Sequence, residues 1–207
     1  MEIARQARHY HQRSVFLSAK NNRPWVRARI AWEFMRRESH ICRPYYGPIL
    51  PPLRQGRLEI GRGVLLLPGC WITAPEEATI RIGSGTTLNM GVMVAAYERV
   101  DIGAHCMFAN GCFISDADHR FDDPTRNLSH QGYRVKGPTV IGDNVWCGVN
   151  VAVLGGVTIG ERSVIGANSV VVDDIEPYCV AAGAPAKVIR RITPGEAGAG
   201  GISPAAS

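Results

Sequence analysis

The sequence predicts a mainly β chain folded as a parallel β-helix, preceded by a basic helical segment and carrying one long loop. Three observations support this. A six-residue period of aliphatic side chains runs through most of residues 58–192, the signature of a hexapeptide solenoid. Glycine accounts for 23 of 207 residues, above the usual ~7%, with neither a collagen triplet nor a low-complexity block. The period is interrupted at length by the polar run DHRFDDPTRNLSHQGYRVKGPT, residues 118–139.

The period is clearest where Ile141, Cys147, Val153, Ile159, Ile165 and Val171 stand six apart. Behind these leaders come Gly142, Gly148, Leu154, Gly160, Gly166 and Val172. Four places after the leaders come Val145, Val151, Val157, Ser163, Ser169 and Ile175. Earlier copies start at Ile60, Leu66 and Ile72, at Ile82, Leu88 and Val94, and at Ile102, Phe108 and Ile114. Each hexad reads as a short strand and a tight turn, with its leader pointing into the axis. The small residue beside the leader turns the corner, where glycine tolerates φ > 0 and close backbone approach. Three hexads close one triangular coil. From Ile82 to Ile102 the step is 20 rather than 18, which predicts small bulges at a corner. The strands of a β-sandwich would not hold this register.

Three regions follow: a basic segment 1–57, the β-helix 58–192 with loop 118–139, and a flexible tail 193–207. Residues 1–57 hold twelve Lys and Arg against three acids, a net of +9, whereas residues 58–192 hold eleven against fourteen. Val26, Ile30 and Phe34 have helical spacing among arginines, with Pro24 at the first turn. Two readings stay open for this helix: a cap on the open end of the β-helix, or a basic amphipathic helix on an anionic membrane. Pro44, Pro48, Pro51 and Pro52 predict an extended connection into the first coil.

Composition excludes several classes. The longest aliphatic run, Val64–Leu67, falls far short of the ~18 residues of a membrane span. Residues 1–14 lack the apolar core of a secretory signal. The cysteines at 42, 70, 106, 112, 147 and 179 form no Cys-x-x-Cys pair and read as reduced, mostly buried thiols. A cytoplasmic location is expected, with no metal site, no cysteine nucleophile and no nucleic-acid-reading motif.

The run Val140–Ile192 closely resembles the hexapeptide-repeat acyltransferases. The likeness extends from about Ile82 and includes DADHRFDDP at the loop opening, Gln131-Gly132, Asp143-Asn144-Val145-Trp146 and Ala184-Pro185-Ala186-Lys187. Within that family it is most similar to sugar O-acetyltransferases of the maltose, galactoside and polysaccharide-cluster type. The resemblance implies a left-handed β-helix, a homotrimer, and acetyl-CoA meeting a sugar or glycan acceptor at the groove between subunits.

Acyl transfer to a hydroxyl needs a base for its proton and a donor for the tetrahedral oxyanion. His119 stands where the last regular strand meets the loop and matches the family's catalytic base; an imidazole titrates in the range this task needs. Asn89 matches the acceptor-side asparagine, and Asp116 is taken as a neighbour of the acceptor. The group that orients His119 is left open among Asp116, Asp118, Asp122, Asp123 and a backbone carbonyl. On the donor side the resemblance implies the Val149 amide for the oxyanion and Trp146 beside the pantetheine arm. It also implies Ala167, Val172 and Asp173 along the cofactor, and Lys187 and Arg190 facing its phosphates. Two departures stand out. Thr87 and Tyr97 replace an aromatic and an acid that galactoside enzymes set against the sugar, and Val172-Asp173 replaces the usual Thr-Lys, removing a cation. A β-helix carbonic anhydrase and a non-catalytic scaffold are the competing functions.

Overall fold

The structure, a computed structural model, describes residues 23–75 and 77–193. Residues 1–22, and all but Thr193 of the expected tail, lie outside the described residues. The expected parallel β-helix is present. Its first full coil lays Leu58–Ile60, Leu65–Leu66 and Trp71–Thr73 on three faces in turn. The first and third faces each hold five strands and the second holds eight. The turns joining first to second, second to third and third to first faces form three edges, here edges I, II and III.

The hexad leaders lie directly over one another. Ile60, Ile82, Ile102, Ile141 and Ile159 are successive parallel partners on the first face. Leu66, Leu88, Phe108, Cys147 and Ile165 stack in the same way on the second. Ile72, Val94, Ile114, Val153 and Val171 complete the column on the third. All are buried, each apolar side chain contributing about 1.5–3 kcal/mol.

The edges correct one detail of the sequence reading. Glycines beside the leaders are required by close approach and not by positive φ. A Cβ on Gly83 would lie 2.4 Å from the Gly103 carbonyl carbon, and one on Gly160 would lie 2.2 Å from Pro177 N. The left-handed residue comes two places later. Gly63, Gly85, His105, Asn144 and Arg162 hold it on edge I, with φ between 56° and 71°.

Edge III alone absorbs the extra residues. Segment 96–98 is the expected bulge, a further insertion separates Thr73 from Thr79 in the coil before it, and the long loop leaves the same edge between Ser115 and Thr139. Its root is pinned by Asp116, which is fully buried. The carboxylate accepts hydrogen bonds from the Tyr97, Glu98 and Arg99 amides at 2.6–2.8 Å. At the other root, Thr139 Oγ1 donates to the Ser115 carbonyl at 2.9 Å.

Helix α1, Pro24–Met35, begins with proline at its first turn, where the missing N–H has no intrahelical partner to lose. Val26, Ile30 and Phe34 are buried in the same apolar cluster as the coil column, so the helix is a cap. Glu33 is buried beside them and collects Arg29 at 3.2 Å, Arg36 at 2.7 Å and Arg37 at 2.8 Å. Burial pushes its carboxyl upward in pKa, but the Arg37 and Arg36 hydrogen bonds outweigh this and the net shift is downward.

Two expectations for the N-terminal segment are corrected. The β-helix starts before residue 58, because His40–Ile41 pairs in parallel with Leu65–Leu66 and Tyr46 bridges to Trp71. The proline-rich connection is not wholly extended, since Leu50–Arg54 forms a second short helix, α2. Prolines 51 and 52 occupy its first turn, where no N–H is needed. Among the described residues no helix is long and apolar enough to cross a membrane.

Three outcomes are expected from unfolding titrations. Asp116→Ala removes the partner of three backbone amides at the loop root and lowers stability by about 2 kcal/mol. Gly83→Ala costs about 2 kcal/mol through backbone overlap, whereas Arg162→Gly, relieving a left-handed non-glycine residue, stays within about 1 kcal/mol of the parent. Glu33→Gln costs about 1–2 kcal/mol at neutral pH. Because the folded carboxyl is the stronger acid, this difference is full above its unfolded value and disappears as pH falls below about 4.

Candidate active site

The long loop is an ordered hairpin with a folded tip. Ala117–His119 pairs antiparallel with Tyr133–Val135, setting His119 opposite Tyr133. Asp118 and Lys136 form an ion pair across its base. Asp122 accepts from Arg120 at 2.9 Å and lies 3.3 Å from Arg134. The Arg120 hydrogen bond, chiefly, holds the Asp122 carboxyl down to about 2. Gln131 closes the tip. It is buried, donates to the Asp123 and Arg126 carbonyls at 2.8 and 3.0 Å, and accepts from the Asp123 amide. Thr125 holds Asp123 through its amide and hydroxyl, lowering the Asp123 pKa.

His119 is exposed at the end of its strand. Its ring lies 4.5 Å from that of Tyr133, which lies 4.3 Å from Tyr97. The imidazole therefore rests on an aromatic stack anchored in the preceding coil. None of the four aspartates weighed as its orienting group hydrogen-bonds to it among the described contacts. Asp116, expected beside the acceptor, is instead the buried anchor of the loop root, with its oxygens occupied. Tyr133 was absent from the sequence reading. Its partner strand lies in an aperiodic stretch, so only the antiparallel register brings it to His119.

The remaining site residues fall in three places. Asn89, Val149 and Ala167 stack along edge II, where the Asn168 amide donates to the Val149 carbonyl at 2.8 Å. Among the described residues, the Val149 and Ala167 amides donate to no backbone or side-chain group. Asn89 spends its Oδ1 on the Met90 amide at 3.0 Å. Trp146 projects from the second face, 49% exposed, with Met107 as its strand partner. Val172 and Asp173 sit on edge III above the hairpin. Lys187 and Arg190 belong to the C-terminal hairpin of Cys179–Gly183 and Ala186–Arg191. Lys187 Nζ lies 2.9 Å from Asp173 Oδ2, so the residue replacing the family's cation also takes up part of a neighbouring one.

His119 and the edge II residues thus lie on different edges, with the third face between them. Within the chain, no described hydrogen bond or ring contact joins them. The thiols lie apart from this chemistry. Burial raises Cys70 to about 11 and also raises Cys106, Cys112 and Cys147. Among the described residues no group of three or more His, Cys, Asp and Glu side chains is arranged to hold a metal ion.

The family model for bacterial transferase hexapeptide (six repeats) matches residues 138–173. "Probable acetyltransferase Rv3034c" of Mycobacterium tuberculosis is 41% identical over 140 residues, covering 68% of this chain. The chain spans under half of that relative's own length, 45%. The structure of the hexapeptide-repeat containing acetyltransferase VCA0836 of Vibrio cholerae is 34% identical, covers 69% of this chain and 78% of its own, and superposes with a TM-score of 0.52. The same Vibrio protein complexed with acetyl coenzyme A gives 28% identity, coverage of 84% and 92%, and a TM-score of 0.57. A galactoside acetyltransferase in complex with coenzyme A is 29% identical, with coverage of 78% and 82% and a TM-score of 0.58. The coils described above are the left-handed β-helix expected of such proteins, and the chain belongs to the hexapeptide-repeat acetyltransferase family.

Proposed function

We propose that this protein is an acetyl-CoA-dependent O-acetyltransferase acting on a hydroxyl of a sugar or glycan, with His119 as general base. The observation that carries the reading is His119 itself, displayed on the hairpin of edge III and backed by Tyr133 and Tyr97. In this reaction the acceptor hydroxyl gives its proton to the imidazole as its oxygen attacks the thioester carbonyl. The new C–O bond forms, the oxyanion is held by the Val149 amide, and the C–S bond breaks. The proton passes to the departing sulfur, giving the CoA thiol. No covalent acyl-enzyme is needed.

The division of the site between edges II and III supports a homotrimer. A neighbouring copy that sets its hairpin against edge II would bring His119 to Asn89 and Val149, and a head-to-tail contact of this kind closes a ring. The donor would then run past Trp146 and Ala167 toward Val172, Asp173, Lys187 and Arg190. Acetyl coenzyme A in the Vibrio complex and coenzyme A in the galactoside enzyme support acetyl-CoA as donor here. Sugar acceptors are supported by the galactoside enzyme's name and by Asn89 at the matching position. Our reading also sets the enzyme in the cytoplasm, with the basic N-terminal segment as the side that would meet an anionic membrane.

The test is a saccharide acceptor panel read by release of free CoA thiol. His119→Ala should reduce transfer by about 10³-fold or more while leaving the unfolding midpoint, the oligomeric state and CoA binding unchanged. Turnover retained in that variant would overturn the assignment of the base. Absence of acetyl transfer by the parent protein to every acceptor and to water would favour a β-helix scaffold instead.

A further inference from the structure

A second cleft lies at the opposite end of the molecule from Lys187 and Arg190. It has a volume of about 420 Å³ and is walled by Pro24, Ala28 and Ala31 of helix α1 and by Ile41. Arg27, Arg43 and Tyr45 complete its lining. Its strand His40–Ile41 stands three strand spacings along the second face from Met107–Phe108, in the coil that carries the His119 hairpin. That separation is about 14 Å along the axis, so the cleft is distinct from the proposed active site.

The charges around the cleft are unbalanced. The described carboxylates of the N-terminal segment are committed elsewhere, Glu33 to Arg29, Arg36 and Arg37, and Glu38 to Arg62. No carboxylate lines the cleft. Among the described residues neither the Arg27 nor the Arg43 side chain has an ion-pair or hydrogen-bond partner. Tyr45 is packed against the apolar core and is close enough to feel the charge of Arg43. Two guanidinium groups and a phenol thus border a small apolar floor.

We propose that this cleft binds a phosphate ester. Arg27 and Arg43 would clamp its anionic oxygens, Tyr45 would donate a hydrogen bond, and the adjoining organic part would lie on Ala28, Ala31 and Ile41. Planar guanidinium groups suit phosphate because they offer paired N–H donors in a fixed geometry. The volume falls at the small end of ordinary ligand sites, enough for a phosphate or diphosphate and a short organic group. A soluble phosphate ester and a phospholipid headgroup share this chemistry.

The experiment uses the full chain, with inorganic pyrophosphate followed by calorimetry and with phosphatidylglycerol vesicles followed by sedimentation. The double variant Arg27→Gln/Arg43→Gln should bind pyrophosphate, vesicles or both at least tenfold more weakly. Arg29→Gln, on the same helix but outside the cleft, should bind as the parent does, and Lys187→Gln separates off any pyrophosphate held at the donor end. Tyr45→Phe should lose a few-fold. Unchanged CoA binding and oligomeric state in the double variant show that the cap is still folded. Loss in the pyrophosphate arm identifies a soluble ligand, and loss in the vesicle arm alone identifies a lipid headgroup. The proposal is overturned if the parent binds neither probe, if the double variant binds both as the parent does, or if Lys187→Gln alone abolishes binding.

Discussion

Successive coils of this β-helix stack at the spacing of hydrogen-bonded strands, so that at every edge one turn of backbone lies directly against the next. The space between turns is too small for a Cβ at several positions, as at Gly83 and Gly103, where added atoms would lie within 2.4–2.7 Å of the neighbouring coil. On edge I this sets the size of the residue after each leader, and a left-handed residue comes two positions later. It also fixes the direction in which each leader points. With register fixed, the interior is filled by the leaders and by further apolar or thiol side chains at set positions, such as Leu58 beside Ile60 and Ile80 beside Ile82. Polar chemistry is therefore displaced from the axis to the edges, and burial raises the thiols of Cys70, Cys106, Cys112 and Cys147, Cys70 to about 11.

Edges differ in how much they can vary. Edges I and II keep their short turns throughout, and the ladder of turn hydrogen bonds from Gly91 to Asn168 runs along edge II without a gap. Edge III takes an insertion in each of three adjoining coils, the last and longest being the hairpin. Each insertion supports the next: the 96–98 bulge offers the amides that Asp116 binds, and Tyr97 in that bulge supplies the outer ring of the stack beneath His119. The hairpin's acids are spoken for, Asp118 by Lys136 and Asp122 by Arg120 and Arg134. What the hairpin presents at its exposed strand end is an imidazole on an aromatic platform.

How much of this could be read from sequence depended on whether local or long-range geometry decided it. Hexads are legible because backbone stacking recurs every coil and imposes the same demand on the same position each time. Glycine corners were legible as positions, but two different demands, small size and left-handed φ, both select glycine and were merged into one. Asp116 was misassigned because closeness to His119 in sequence says nothing of which side of the chain faces inward, and here it faces the bulge below. Helix α2 was missed because Pro51-Pro52 reads as extended chain, although a first helical turn accommodates both. Tyr133 was illegible because a pairing across an aperiodic loop leaves no periodic trace.

The replacement of Thr-Lys by Val172-Asp173 has a consequence for the donor on the proposed reading. Exchanging a cation for an anion alters the local charge by two units, and the structure shows that Asp173 does not stand alone but holds Lys187 at 2.9 Å. An exposed pair of this kind is weak in water, so an arriving phosphate competes for the ammonium and can displace the carboxylate, though less favourably than it would meet a free lysine. The rest of the donor's grip must then come from groups that do not depend on net charge. Trp146 and its partner Met107 form an exposed apolar strip leading to Val149, and the Val149 and Ala167 amides lie along the same edge. On the proposed reading, donor recognition in this chain would rest more on apolar contact and backbone donors, and less on salt-sensitive attraction, than a Thr-Lys pair would give.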